Sequence, residues 1–364
     1  MRLTNLSCFL SSHQTNIQMK YSFIFLSIII SFAKSINGQT PTSVNNSTKP
    51  KLIAFTPTSF SNKFSLNISP VLHIHSGDTV QTETIDAFGR DKKGVKRQGG
   101  GNPLTGPFYI EDAKAGDVLQ IKLIKVSLNR DYAYTTETFV SRSMPDSLTR
   151  QFKKKSPVVK WKLDIENGVA YPDSSSSPYH NLKDFRVPLQ PFLGCIGVAP
   201  SNKPNEILSF FQGNFGGNLD YNRITQSATV YLPVLHDGGY FYIGDGHAVQ
   251  GDGEIAGNAL ETSLDVEFSI NLVKKETLQI KYPRVEDSTY IMAIGPGKTT
   301  DKAIKVATAG LLEWLQSDYH LTLPEATQVM STAIEYTIAE IADPEIIVVA
   351  KIKKEILKGL KKID

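Results

Sequence analysis

The stretch "SLDVEFSINL" (residues 263–272) sets Leu264, Val266, Phe268, Ile270 and Leu272 in alternation with Asp265, Glu267, Ser269 and Asn271. A period of two sends successive side chains to opposite faces of an extended chain, so this is a strand with one buried and one solvated face. "VLQIKLIKV" (118–126) repeats the pattern, with Leu119, Ile121 and Leu123 opposite Gln120 and Lys122. Another strand is expected in "TVQTETIDAF" (79–88), entered through the turn "SGD" (76–78). "TVYLPVLHDGGYFYIGDG" (229–246) reads as two strands around the turn His236-Asp237-Gly238-Gly239, with Pro233 arguing for an edge or a bulge. The first two-thirds of the chain is therefore expected to be β.

The end of the chain changes character. From Asp301 to Leu315, Ile304, Ala307, Leu311, Leu312 and Leu315 recur at helical spacing, with Trp314 beside them. A second helix starts at "TLPE", where Thr322 and Glu325 have capping-box spacing and Pro324 suits the first turn. "EIIVVAKI" (345–352) returns to strand, so the pattern predicts a mainly β body over 51–295 and an α+β part over 296–364.

The front of the chain reads as an export signal. Residues 1–38 hold no Asp or Glu, and "YSFIFLSIIISFA" (21–33) is too short for a comfortable membrane span. With Lys20 before it and small or polar residues after it, the segment predicts a cleaved signal peptide over 1–38 and a secreted or periplasmic protein with no stable membrane anchor. Residues 39–50 follow as a disordered leader. Removing residues 1–38 takes away Arg2, Lys20 and Lys34, leaving 36 basic residues against 36 acidic ones. A near-neutral chain lacks the basic surplus of a nucleic-acid binder. Of the two cysteines, Cys8 leaves with the signal, so Cys195 has no intrachain partner.

"GDGHAVQGDGE" (244–254) is the most polar dense segment, with four Gly, two Asp, His247, Gln250 and Glu254. Glycine at that density marks backbone at positive φ or pressed against a neighbour. Asp245 and His247 project to one side of an extended chain, and Gly251 and Gly253 would let all five polar groups face one cavity. A glycine-rich turn accounts for Asp and Gly but leaves His, Gln and Glu unexplained. "GNFGGNLD" (213–220) and "GGGNPLTGPFYIE" (99–111) are weaker polar loops offering Asn218, Asp220 and Asn102. His73 and His75 share a strand side, yet no third ligand is fixed by nearby spacing. Cys195 sits among Leu193, Gly194 and Ile196, which supply nothing to lower its pKa.

Together, "NPLTGPFYIEDAKAGD", "PFLGCIGVAPS", "GGNLD", "YLPV" and "GDGHAVQGDGEIAGNALE" resemble the acetamidase/formamidase family in order and spacing, from about Val71 to about Leu357. Leu219, Leu260 and Asn258 depart mildly from that pattern, and the export signal departs more. The resemblance implies a jelly-roll-like β-sandwich joined to a small β-barrel portion and an α+β C-terminal part. It also implies hydrolysis of the C–N bond of short linear amides to carboxylate and ammonia, a homo-oligomer, and a bound divalent metal ion, zinc or calcium. Such chemistry needs an activated water, charge stabilisation at the carbonyl and a proton for ammonia. Glu254 is the candidate general base, with Asp245 the next candidate. His247 is a further catalytic candidate, by a metal-free carboxylate–His mechanism or as a ligand. Asp245, His247 and Asp252 are candidate ligands or orienters, with Asp220 completing the metal site, and Asn102, Asn218 and Gln250 are candidate contacts to the substrate amide. The competing expectation is a secreted, non-catalytic β-sandwich module that binds a small polar ligand or a glycan.

Overall fold

The computed structural model describes residues 49–152, 157–175 and 179–360. The expected signal peptide (1–38) and nearly all of the leader (39–50) lie outside these residues. The described residues form one compact unit, built mainly on two large sheets that pack face to face, with Lys63–Ser65 and Glu206–Leu208 as a small third one.

Leu264–Val273 is the third strand of a nine-stranded sheet, pairing with Thr79–Glu83 on one side and Val118–Leu128 on the other. Its Leu264, Val266, Phe268 and Ile270 are buried while Asp265, Glu267, Ser269 and Asn271 are not, as the period of two requires. The second sheet has eleven strands, with Phe241–His247 between Phe192–Val198 and the strands Leu104–Ile110 and Glu261–Thr262. Every residue of Phe192–Val198 and Phe241–His247 is buried, because this sheet is covered on both faces there. Ile121, Val230 and Phe268 from one sheet share a core with Phe108, Ile196 and Ile243 from the other. The fold is a mainly β sandwich with an α+β C-terminal part.

Thr229–Pro233 and Phe241–His247 are both strands, but they belong to different sheets. The turn at 236–239 is therefore a crossing between layers and not a hairpin. Pro233 pairs only with Val118, one strand over, and lies beyond the last residue matched to Arg284–Glu286, so its missing N–H breaks no bond on that side.

The helix Thr300–Tyr319 lies on the Tyr290–Gly297 and Ile346–Lys353 strands and buries Ala303, Ala307, Leu311, Trp314 and Leu315. Ile304, expected on the buried stripe, faces out at 37% exposure. The reason is the "GPG" at 295–297. A Cβ at Gly295 or Gly297 would overlap the backbone of Ala303 and Ala307, so helix and strand meet almost backbone to backbone and only alanine fits between them. Thr322 and Glu325 form the expected capping box of Leu323–Ala333. The expected boundary at 295/296 falls inside the Tyr290–Gly297 strand, and Ile346–Lys353 and Glu335–Glu340 extend the same nine-stranded sheet. No helix among the described residues is long and apolar enough to cross a membrane.

Candidate active site

His247 ends its strand, and Asp245 stands two residues earlier on the same side, at φ +54°. Glu261 is directly opposite His247 in the ladder. His247 Nε2 lies 3.2 Å from Glu261 Oε2 and 3.4 Å from Asp245 Oδ2, while Nδ1 lies 3.9 Å from Asp220 Oδ1. Phe192 packs edge-on to the imidazole, with ring centroids 4.8 Å apart. The glycines of 244–254 serve two ends. A Cβ on Gly244 or Gly246 would press on Pro103 and Leu104 or on Thr262 and Leu264 in the adjoining strands. Gly253, at φ +85°, turns the chain so that its N–H donates to the Ala339 carbonyl and its own carbonyl accepts from Ile341. That docking carries Glu254, itself at φ +44°, onto the end of the Glu335–Glu340 strand, where its carboxyl meets Glu340.

Asp220, Asp245, His247, Glu254, Glu261 and Glu340 are each at most 7% exposed, with half-buried Asp343 beside them. Burial, then the charges of Asp245 and Glu340, pushes Asp220 well above the ordinary carboxylate range. Burial, Asp220 and Glu340 do the same to Glu254. Glu261 and Asp343 are both raised to about 7, in each case first by burial. Burial alone would lower His247, but the carboxylates of Glu261 and Asp245 outweigh it and raise the imidazole well above its usual value. Five buried carboxyl groups, with half-buried Asp343 beside them, thus cluster about one imidazole, an arrangement that costs heavily unless protons or cations compensate it.

Several of these groups have no hydrogen-bond partner among the described residues: Asp220 Oδ1, Asp245 Oδ1, both His247 nitrogens, Gln250 Oε1, Glu261 Oε2 and Glu340 Oε2. Buried polar atoms are normally paired, so convergent unpaired ones fit an ion or water. Two triplets, Asp220–His247–Glu254 and Asp245–His247–Glu261, have ligand atoms within 4.8 Å of one another. Gly194 packs directly under the cluster, where a Cβ would stand against Asp220, Asp245 and His247. One imidazole with carboxylate oxygens is a donor set that suits a divalent cation.

Of the residues expected from sequence, Asp220, Asp245, His247 and Glu254 converge. Asp252 does not. It is exposed and accepts a hydrogen bond from Asn222 at 3.2 Å, because the Gly251–Gly253 turn points it to solvent while returning Glu254 to the interior. Asn218 is at the site with its amide fully engaged. Its Nδ2 donates to Asp220 and, at 2.8 Å, to Asp343, and its Oδ1 accepts from Asn102 at 3.2 Å and from Cys195. It therefore positions neighbours and has no capacity left for an amide. Asn102, half-buried, donates to Asn218 and, at 3.1 Å, to Asp245. Gln250 Nε2 donates to the Asp220 carbonyl at 2.7 Å and that of Ala339 at 3.2 Å, leaving Oε1 facing inward.

Glu261, Glu340 and Asp343 were not expected. Glu261 ends the stretch "GDGHAVQGDGEIAGNALE", but only the ladder places it opposite His247; Glu340 and Asp343 come from a segment about eighty residues beyond Glu261. His73 bonds to Glu111 at 2.8 Å, His75 lies near Asp78, and neither joins a metal-type cluster among the described residues. Cys195 is buried, and burial together with Asp245 and Asp220 pushes its thiol well above its ordinary value, opposite to what a nucleophile needs.

A profile of the Acetamidase/Formamidase family matches residues 49–209 and 212–358. An acetamidase from Bacillus halodurans is 27% identical, with a TM-score of 0.70 over 85% of this chain and 99% of that one. An acetamidase from Yersinia enterocolitica is 29% identical, with a TM-score of 0.71 over 86% and 95%. A predicted acetamidase/formamidase from Thermoanaerobacter tengcongensis is 25% identical, also at 0.71, over 85% and 98%. No curated protein sequence matches. With its profile covering most of the described residues and its mainly β fold shared with these structures, the chain belongs to the acetamidase/formamidase family, a membership that supports amide hydrolysis.

Proposed function

We propose that this protein hydrolyses short linear carboxamides, of the size of formamide or acetamide, to carboxylate and ammonia. The observation that carries this reading is the buried ring of carboxyl groups about His247 with its unpaired inward-facing atoms. Asp245, His247 and Glu261, with Asp220 adjoining, are the residues suited to hold a divalent ion. Such an ion, zinc or calcium, would lower the pKa of a water and let the surrounding carboxylates ionise.

The remaining work falls to side chains of this chain. In this reading Glu254 takes a proton from the attacking water and returns it to the departing nitrogen, with the Glu340 carboxyl beside it. Gln250 Oε1 and Asn102 Oδ1 are acceptors for the substrate N–H groups. The near-complete burial of the cluster supports a short substrate. Export through the 21–33 segment is part of the reading.

Ammonia release from formamide and acetamide tests it. Glu254→Gln keeps size and hydrogen bonds but not basicity, so turnover is expected to fall ~10²–10⁴-fold with little change in KM. Wild-type protein that releases no ammonia from any short amide would leave the ligand-binding module as the better account.

A further inference from the structure

The nine-stranded sheet carries a cavity of about 450 Å³ against the helix Thr300–Tyr319. Arg284, Trp314, Tyr231, Val273, Leu278 and His320 are among the residues that line it, and none belongs to the site around His247. The volume is in the range of small-molecule sites.

Arg284 is the unusual member. It is 3% exposed, on the strand between Tyr231 and Ala293, with its guanidinium carbon 5.2 Å from the centroid of the Trp314 ring. Nη1 reaches Ser317 Oγ at 3.4 Å and stands 4.0 Å from Asp318 Oδ1. The side-chain hydrogen bond of Arg284 among the described residues is the one Nη1 makes, which leaves the Nε–Nη2 edge unengaged. Asp318, which also lines the cavity, divides its oxygens: Oδ2 accepts from Trp314 Nε1 at 2.9 Å, and Oδ1, the atom paired with Arg284 Nη1, accepts from Ser317 Oγ at 2.7 Å.

A guanidinium has five N–H donors, and Ser317 takes up one of them at the cavity wall. The unmatched edge is the Nε–Nη2 fork, whose two parallel donors fit both oxygens of one carboxylate. The walls beside it are the Trp314 and Tyr231 rings with Val273 and Leu278, surfaces that an inorganic anion would leave wet. We propose that this cavity binds a small aromatic carboxylate, its carboxylate on the Arg284 fork and its ring against Trp314 and Tyr231.

The test is fluorine NMR with 4-fluorobenzoate as probe and 4-fluorobenzyl alcohol as its uncharged counterpart, on full-length protein. Wild type should bind 4-fluorobenzoate saturably and the alcohol at least tenfold more weakly. Arg284→Met and Arg284→Lys should each weaken the carboxylate at least tenfold, the second because an ammonium lacks the fork. Thr277→Trp, from the exposed rim, should block the cavity with Arg284 intact, which keeps the test decisive if Arg284→Met does not fold. Undiminished binding in all these variants would place the probe elsewhere and overturn the proposal. So would no binding at all, which leaves water in the cavity, or displacement by equimolar inorganic phosphate, which makes it a simple anion site.

Discussion

His247 is a histidine with both ring nitrogens buried and neither aligned with a partner, although three carboxylates stand within 3.9 Å. Its surroundings divide the acidic residues of one short loop into two kinds. Glu254 is buried in the cluster, whereas Asp252, two positions earlier, is in solvent. Asp252→Asn should therefore keep turnover and metal content near wild type in the same assays that Glu254→Gln fails. Sequence could not make that distinction, because glycines on either side leave the direction of each side chain open. It did identify Asp245 and His247 as co-facial, since strand geometry alone fixes two residues two apart. Gly194 offers the complementary test. Gly194→Ala adds one methyl group against Asp220, Asp245 and His247, so bound metal and ammonia release should both drop sharply while the circular dichroism spectrum stays β. Normal metal content in that variant would mean the cluster has another purpose.

At the level of elements, the strands with strict alternation were legible, and so were both helices. What the pattern of "TVYLPVLHDGGYFYI" could not convey was that its two strands part company into separate sheets. A turn motif specifies a local reversal, and partner choice depends on Val118–Leu128 and Phe192–Val198, far away in sequence. The helix Thr300–Tyr319 gives a similar lesson: helical spacing found its buried face to within one residue, but the close approach at Gly295 rotated Ile304 outward in favour of Ala303. Leu311, fully buried on that face, has no such ambiguity. Leu311→Ala should cost about 2–5 kcal/mol in denaturant unfolding. Because Leu311 touches the sheet and not the site, the remaining folded protein should keep its kcat. A loss of kcat without a loss of stability would contradict this division.

Across the whole molecule, the site is completed by the part of the chain that looked separable. Glu340 and Asp343 arrive from the C-terminal segment, and no spacing rule ties them to residues 220–261. Their proximity has a consequence for stability. Glu261 and Asp343 have folded-state pKa values raised to about 7, well above the ~4 expected in an unfolded chain. For a carboxyl raised in this way, the folded state keeps a proton that the unfolded state has lost, so its stabilising contribution is complete below pH ~4 and disappears as pH rises through 7. Metal-free protein should accordingly lose Tm between about pH 4 and 7, and a divalent ion should flatten that decline because it replaces the lost protons with charge. A metal-free Tm that climbs steadily over the same interval would contradict the buried-cluster account.

The most direct measurement is ammonia release from acetamide by protein stripped of metal and then titrated with zinc or with calcium. The cluster around His247 predicts negligible turnover in the stripped protein. It also predicts recovery that saturates at a small whole number of ions per chain, and no recovery in Glu254→Gln. Full turnover from stripped protein, or none at any loading with either ion, would contradict it.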